Sequence, residues 1–167
     1  DNIMKKILIL IAFTLTLPAQ GEIFRAKFGE SKLTINGDSS VHKWKVETKV
    51  VGGFLQVDSA ALAEAGKIEA KGKVIIPVRQ LKSGKKRMDE VMHAAMKETK
   101  HKLIDFTLNG LDVNSVKGEV ANCVSNGSVK INGKTKPLAM NVSITSKGDR
   151  LVVKGSTVMK MTDFGIK

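Results

Sequence analysis

Apolar and polar residues alternate with a period of two along most of this chain, and the exception is short. In residues 71–78 (KGKVIIPV), Val74, Ile76 and Val78 alternate with Lys73, Ile75 and Pro77, as in a strand buried mainly on one face. Ser83-Gly84 breaks that strand, and the period then changes. Met88, Val91, Met92, Ala95 and Met96 follow the i, i+3, i+4, i+7, i+8 spacing of a helix with one apolar stripe. The pattern predicts a single amphipathic helix set among strands, a plug or lid of a β structure.

The remaining segments read as strands and turns. Residues 32–36 (KLTIN) alternate up to Gly37-Asp38, residues 40–51 form a longer strand, and 54–57 follow Gly52-Gly53. In the longer strand His42, Trp44 and Val46 share one face. Asp58 or Ser59 caps a brief helix through Ala65, stopped by Gly66. Further strands are expected at 103–111, 116–124, 127–132, 138–145 and 151–159. Asn132-Gly133 is a strong hairpin signal, and Gly148-Asp149 makes the next turn. Consecutive antiparallel strands with tight turns predict a meander that curls into a barrel, which also removes exposed edges.

Length adds one bound: 167 residues suffice for one domain with one core. Met4-Lys5-Lys6 followed by the apolar residues 7–17 has the charged and hydrophobic regions of a secretory leader, with cleavage expected after Gly21. The apolar run is short for a bilayer span. Asp1 to Ile3 would precede the true start, and the mature chain is expected to be periplasmic or secreted. Removing the leader takes away Lys5, Lys6 and Asp1, so the formal charge falls from +12 to +11. Such a surface attracts anionic lipid and polyanions over roughly 8 Å at physiological ionic strength. The lysines are scattered through many strands, which equally suits a solvated face with guarded edges.

Catalytic chemistry finds little footing. Cys123 is the single cysteine, so no internal disulfide forms, and its strand-like setting suits a buried apolar role. His42, His93 and His101 lack the spacing of a helical zinc pair, and His93 reads as a surface partner of Asp89 and Lys97. His42 with Trp44 reads as a packed pair or a cavity contact. No phosphate-binding glycine loop or nucleophile elbow is present. Nucleic acid is disfavoured by an aromatic content of 4% and by the absence of a compact basic stripe. The expectation is no enzyme, no metal and no cofactor.

Four motifs in order resemble the YceI-like family. They are residues 39–44 (SSVHKW), Leu81-Lys82-Ser83-Gly84 leading to Arg87-Met88-Asp89-Glu90, residues 131–137 (INGKTKP) and residues 161–166 (MTDFGI). The resemblance implies an antiparallel, lipocalin-like β-barrel of about eight strands with one or two short helices. The resemblance covers roughly residues 31–167 and implies a single domain over 22–167, expected to be incomplete at its C-terminal end because the family continues past the Asp-Phe-Gly-Ile motif. It implies binding or transport of a polyisoprenoid, fatty-acyl or other long-chain amphiphile outside the cytoplasm, without catalysis. The tail would lie on inward positions Val74, Ile76, Val78, Ile104, Phe106, Leu108, Val129, Ile131, Met140 and Val142, with Trp44, Met88 and Met92 beside them.

The physical case for such a carrier is independent of the family. Moving about ten methylene groups into a dry barrel gains ~8 kcal/mol gross, at ~0.8 kcal/mol each. That corresponds to about micromolar binding before immobilisation costs. An acidic head group would meet the basic loop at Lys85, Lys86 and Arg87. The second reading is an exported basic module that docks on anionic envelope components, including the membrane surface, with its interior filled by its own side chains. Oligomeric state is not encoded in any of these features.

Overall fold

A computed structural model describes residues 21–38 and 41–167. Except for Gly21, the expected leader lies outside the described residues, as do Ser39 and Ser40 of the first motif.

The chain opens with strand β1 (Glu22–Arg25), followed by β2 (Leu33–Asp38), β3 (Lys43–Thr48) and β4 (Gly52–Val57). A 3-10 turn, Ser59–Ala63, leads to β5 (Gly66–Ile68) and β6 (Ala70–Pro77). A second 3-10 turn, Val78–Gln80, precedes helix α1 (Lys86–Ala95). The long strands β7 (Leu103–Lys117), β8 (Val120–Ile131) and β9 (Lys134–Lys147) come next, then β10 (Arg150–Gly155) and a last 3-10 turn, Met161–Phe164. Strands β1, β4, β6, β7, β8, β9 and β10 pair in that order, all antiparallel, with β5 on β7. These eight strands curl into a nearly closed lipocalin-like barrel. Strands β2 and β3 form a separate two-stranded sheet.

Local chemistry accounts for the turns. Asn132 and Gly133 both have positive φ, 51° and 74°, the pair of left-handed residues that a two-residue hairpin with right-handed twist demands. Asp58 accepts a hydrogen bond from Ala60 N at 3.1 Å, capping a turn that stays 3-10 rather than becoming the expected helix through Ala65. Ser83 donates from both N and Oγ to Asp89 Oδ1, at 2.8 and 2.6 Å, which fixes the start of α1.

Several expected boundaries move, each for a physical reason. The reading placed a strand across residues 116–124, whereas the chain turns at Gly118, whose φ is 59°. It also split β7 and β8 into shorter pieces; register shifts between Leu108 and Gly110 and between Val113 and Ser115 absorb the irregular alternation within continuous strands. Val78, read as strand, sits in a 3-10 turn. The last strand ends at Gly155 instead of residue 159. Strands β1 and β5 were not expected at all, being too short to show a period.

Two apolar clusters fill the barrel, one toward each end. The first gathers Val57, Leu62, Ala70, Leu111, Cys123, Val142 and Ile144 beneath the Ser59–Ala63 turn. The second gathers Ile76, Val78, Leu81, Met96, Ile104, Val129, Ile131 and Phe164, and α1 adds Met92 to it. Leu81 is the tie point, at 0% exposure. Its carbonyl accepts from His93 Nε2 at 3.0 Å, and the neighbouring Lys82 exchanges two backbone hydrogen bonds with Glu47 of β3, 2.9 and 3.0 Å. His93 is thus an anchor of the helix, not the surface partner expected from sequence. Leu81→Ala is expected to cost about 2–5 kcal/mol, whereas Val91→Ala, on the exposed face of α1, stays within about 0.5 kcal/mol. Thermal unfolding followed by circular dichroism measures both.

Candidate functional site in the barrel waist

The inward side chains are set by strand parity, and cross-strand register lines them into levels. One level runs Leu55, Gly72, Leu108, Gly127 and Leu138 across β4, β6, β7, β8 and β9. The next runs Gly53, Val74, Phe106, Val129 and Lys136. Three of these ten positions are glycine, so the middle of the barrel carries little side-chain volume. Gly127 has no alternative, because a Cβ there would stand 1.8 Å from Thr107 O. At Gly53, with φ of 136°, a Cβ would meet Lys73 O at 1.9 Å. These close approaches bend the sheet and at the same time hollow it.

The boundary between the two clusters falls at this waist. Leu55, Leu108 and Met140 pack toward one cluster, Phe106 and Leu138 toward the other, and Val74 belongs to neither. Val74 faces inward with Gly72 and Ile76 yet is 38% exposed. On β10, Val153 pairs with the buried Ile144 and shares its inner face, yet is 50% exposed. A Cβ on Gly155 would lie 2.7 Å from Val142 Cγ1, so this end of β10 also faces the waist without filling it. The inner face is therefore apolar, thinly filled and open to solvent.

The opening lies along the seam between β10 and β1. Phe24 on β1 and Leu151 on β10 pack against the same cluster, and Arg150 pairs with the Glu30 carboxylate across the gap. Strand β10 registers only with Val142–Lys147 of β9. Residues 134–141 of β9 pair with β8 on one side and, among the described residues, with no strand on the other. Lys136 stands on this stretch with inner-face parity, opposite Val129 and two residues from Leu138.

The residues expected to line a cavity fall into three groups. Ile76, Val78, Ile104, Val129 and Ile131 are packed within the helix-end cluster, and Val142 within the other. Val74, Phe106, Leu108 and Met140 border the waist. Met88 is half-buried on α1, and Trp44 is elsewhere: its ring lies over Gly37 of the β2–β3 sheet. There it lines an open recess of about 450 Å³ with Asn36, Asp38, Lys43 and Lys45. Lys85, Lys86 and Arg87 are all exposed at the start of α1. Sequence reasoning missed Gly53, Gly72, Gly127 and Lys136, although the parity that selected Val74 also selects Gly72.

A smaller recess of about 270 Å³ lies on the outside of the sheet, over Gly72, between Phe54, Lys71, Lys73, Thr107 and Asn109. Lys73 is held there by Asp105 at 3.1 Å. Its size falls just under the roughly 300–1,000 Å³ typical of ligand pockets. Cys123 is buried in the first cluster, and burial pushes its thiol pKa up, which lowers its reactivity.

A family model, the YceI-like domain, matches residues 29–167. The chain belongs to the YceI-like family. Among solved structures it is similar to BcnA of Burkholderia cenocepacia, with a TM-score of 0.64 at 14% identity over 80% of this chain and 79% of that one. No curated protein matches the chain. At 14% identity the likeness speaks to the fold: the same barrel is reached with few shared side chains.

Three of the four YceI-like motifs converge on the helix-bearing end, whereas the first ends at Trp44 on the β2–β3 sheet. Asn132 Nδ2 donates to Phe164 O at 2.9 Å, which joins the third motif to the fourth, and the His101 ring packs on Gly133. In the second motif, Ser83 and Lys82 tie α1 to Glu47. That carboxylate receives Lys45 Nζ at 2.7 Å and Lys32 Nζ at 2.8 Å. Hydrogen bonds from Lys32 and then Lys45 lower its pKa to about 2. A depressed carboxylate stabilises the fold above its unfolded pKa and loses that contribution as pH falls through the folded value. Lys32→Ala with Lys45→Ala is expected to return the Glu47 midpoint from about 2 toward the ordinary 4.5 in a carboxyl NMR titration. With both lysines gone the folded and unfolded values converge, so the contribution of Glu47 is missing at every pH and stability no longer falls as this carboxylate is protonated.

Proposed function

We propose that this YceI-like protein is a non-catalytic carrier, acting outside the cytoplasm, that holds the hydrocarbon of an isoprenoid or other long-chain amphiphile against the inner face of its barrel. The observation that carries this reading is Val74: an inward-facing valine between two packed clusters, bounded by Gly53 and Gly72, that water still reaches. A sheet folded for stability alone would gain about 25 cal/mol for each Å² of apolar surface it covered there. Leaving that surface uncovered makes sense for a site whose occupant arrives later. Membership of the family supports the same class of ligand.

The two clusters act as stops, so the tail would occupy the waist while the buried wall residues such as Ile76 and Ile104 stay packed. Lys136, on the inner face beside Leu138, would pair with an acidic head group. Among the described residues, Ser125, which registers with Met140, and Lys136 are the polar side chains with inner-face parity at the waist, which suits a ligand read by shape and apolar area.

Mass spectrometry of the purified protein under native conditions is expected to reveal a co-purifying prenyl or acyl chain. Val74→Trp fills the waist and is expected to weaken binding of a fluorescent prenyl or acyl probe at least tenfold, with little change in melting temperature. Unaltered probe affinity in that variant would rule the waist out as the site. Lys136→Glu is expected to weaken an anionic amphiphile while sparing a neutral prenyl alcohol, as measured by displacement of the same probe.

A further inference from the structure

A second surface carries charge that its own side chains do not neutralise. The ends of β6, β7 and β8 at Pro77, Leu103 and Ile131 meet the start of β9 at one end of the barrel, under α1. From Arg79 to Lys102, the stretch that makes α1 and its flanking loops, eight Lys and Arg stand against three Asp and Glu. Residues 58–70, which close the opposite end, hold one Lys against three Asp and Glu. The barrel is thus polarised along its axis. All eight cations are exposed, and among the described residues Arg79 alone of them makes an ion pair, with Glu98 at 3.2 Å.

Their placement works against the fold. Lys85, Lys86 and Arg87 occupy the cap and first two positions of α1, where the helix dipole already presents positive charge and cations are disfavoured. Lys85 makes no side-chain capping bond, and the one acid of the first turn, Asp89, is engaged by Ser83. On the outer face of the same helix, Arg87, Val91 and Ala94 follow at i, i+4 and i+7, all exposed, with Val91 at 57%. Arg87 therefore borders a small apolar patch of Val91 and Ala94, which Glu90 and the Arg79-paired Glu98 also flank, at the end of the barrel that carries the excess of cations.

We propose that this end of the barrel docks on an anionic lipid bilayer. The cations contact head-group phosphates, while Val91 and Ala94 reach the interface between head groups and chains. Charge complementarity favours any polyanion, but the exposed apolar patch beside Arg87 favours a bilayer. A nucleic acid would call for stacking aromatics, and the single Trp of the chain lies on the β2–β3 sheet. Docking of this kind is independent of whether the waist holds a ligand.

Flotation of the purified protein with vesicles provides the test. The protein should rise with vesicles containing equal parts of phosphatidylglycerol and phosphatidylcholine, stay behind with phosphatidylcholine alone, and be released as salt is raised. Combined Lys85→Ala, Lys86→Ala and Arg87→Ala should weaken partitioning on the order of a hundredfold. The same charge change at the far side, Lys67→Ala, Lys71→Ala and Lys117→Ala, should weaken it little. Circular dichroism checks that both variants are folded. Val74→Trp should float like the wild type, so that failure of the carrier reading and failure of docking are told apart. Equal flotation on neutral vesicles, equal loss in the two triple variants, or tighter binding to dextran sulfate than to vesicles would overturn the proposal.

Discussion

Curvature governs this structure, and it is imposed where two backbones come too close for a side chain. The Thr107 carbonyl occupies the place a Cβ on Gly127 would need, and Lys73 does the same at Gly53. Without these approaches β7 and β8, or β4 and β6, would lie flatter, and an eight-stranded sheet would present two exposed faces instead of an inside and an outside. The same glycines deny the middle of the barrel the bulk that would fill it. The bend that makes an interior thus comes with inward positions that place no side chain in it.

Closure at the helix end depends on a different device. Leu81 is completely buried, and everything near it is fastened to its backbone or its neighbour's: the His93 ring to its carbonyl, β3 through Lys82, α1 through Ser83 and Asp89. Asn132 then holds the final 3-10 turn by the Phe164 carbonyl. The motifs that identify the family are therefore mostly joints. They place a helix, a hairpin and a 3-10 turn over one end of the barrel, and their side chains are spent on one another. This explains how motifs of this type can mark a family while leaving the ligand unspecified.

Much of the fold was legible because its signals are local. Alternation gave β6 and the inward parity of Val74, Ile76, Ile104, Phe106 and Leu108; the five-residue stripe gave α1, although its Val91 is exposed; Asn132-Gly133 gave the β8–β9 hairpin through a demand for positive φ that Asn and Gly meet cheaply. What failed to show was non-local. The bulges in β7 break alternation without ending the strand, so one long strand read as two. His93 looked like a surface residue because its partner is a backbone carbonyl twelve positions away. Trp44 shares a face with Val46, yet its ring covers Gly37 on the partner strand, a pairing no period reveals. The site was half legible. Parity selected the right face, but which inward residues are packed and which are reached by water depends on where two clusters stop, and that is decided by α1, the 3-10 turns and the seam.

The separation of packed ends from a thin waist bears on how such a protein would work. A carrier that needed its ligand to complete the core would be unstable when empty and slow to give the ligand up. Here Val57, Leu62, Ile144 and their neighbours form one core, and Ile76, Leu81, Ile104 and Phe164 another, without reference to the waist. Binding would then add only the mass-action term set by concentration and affinity, a few kcal/mol even at a thousandfold saturation. Release would forfeit that term and leave both cores packed. The uneven distribution of charge follows the same division: the end closed by α1 and its joints carries the eight exposed cations, whose mutual repulsion its core must offset.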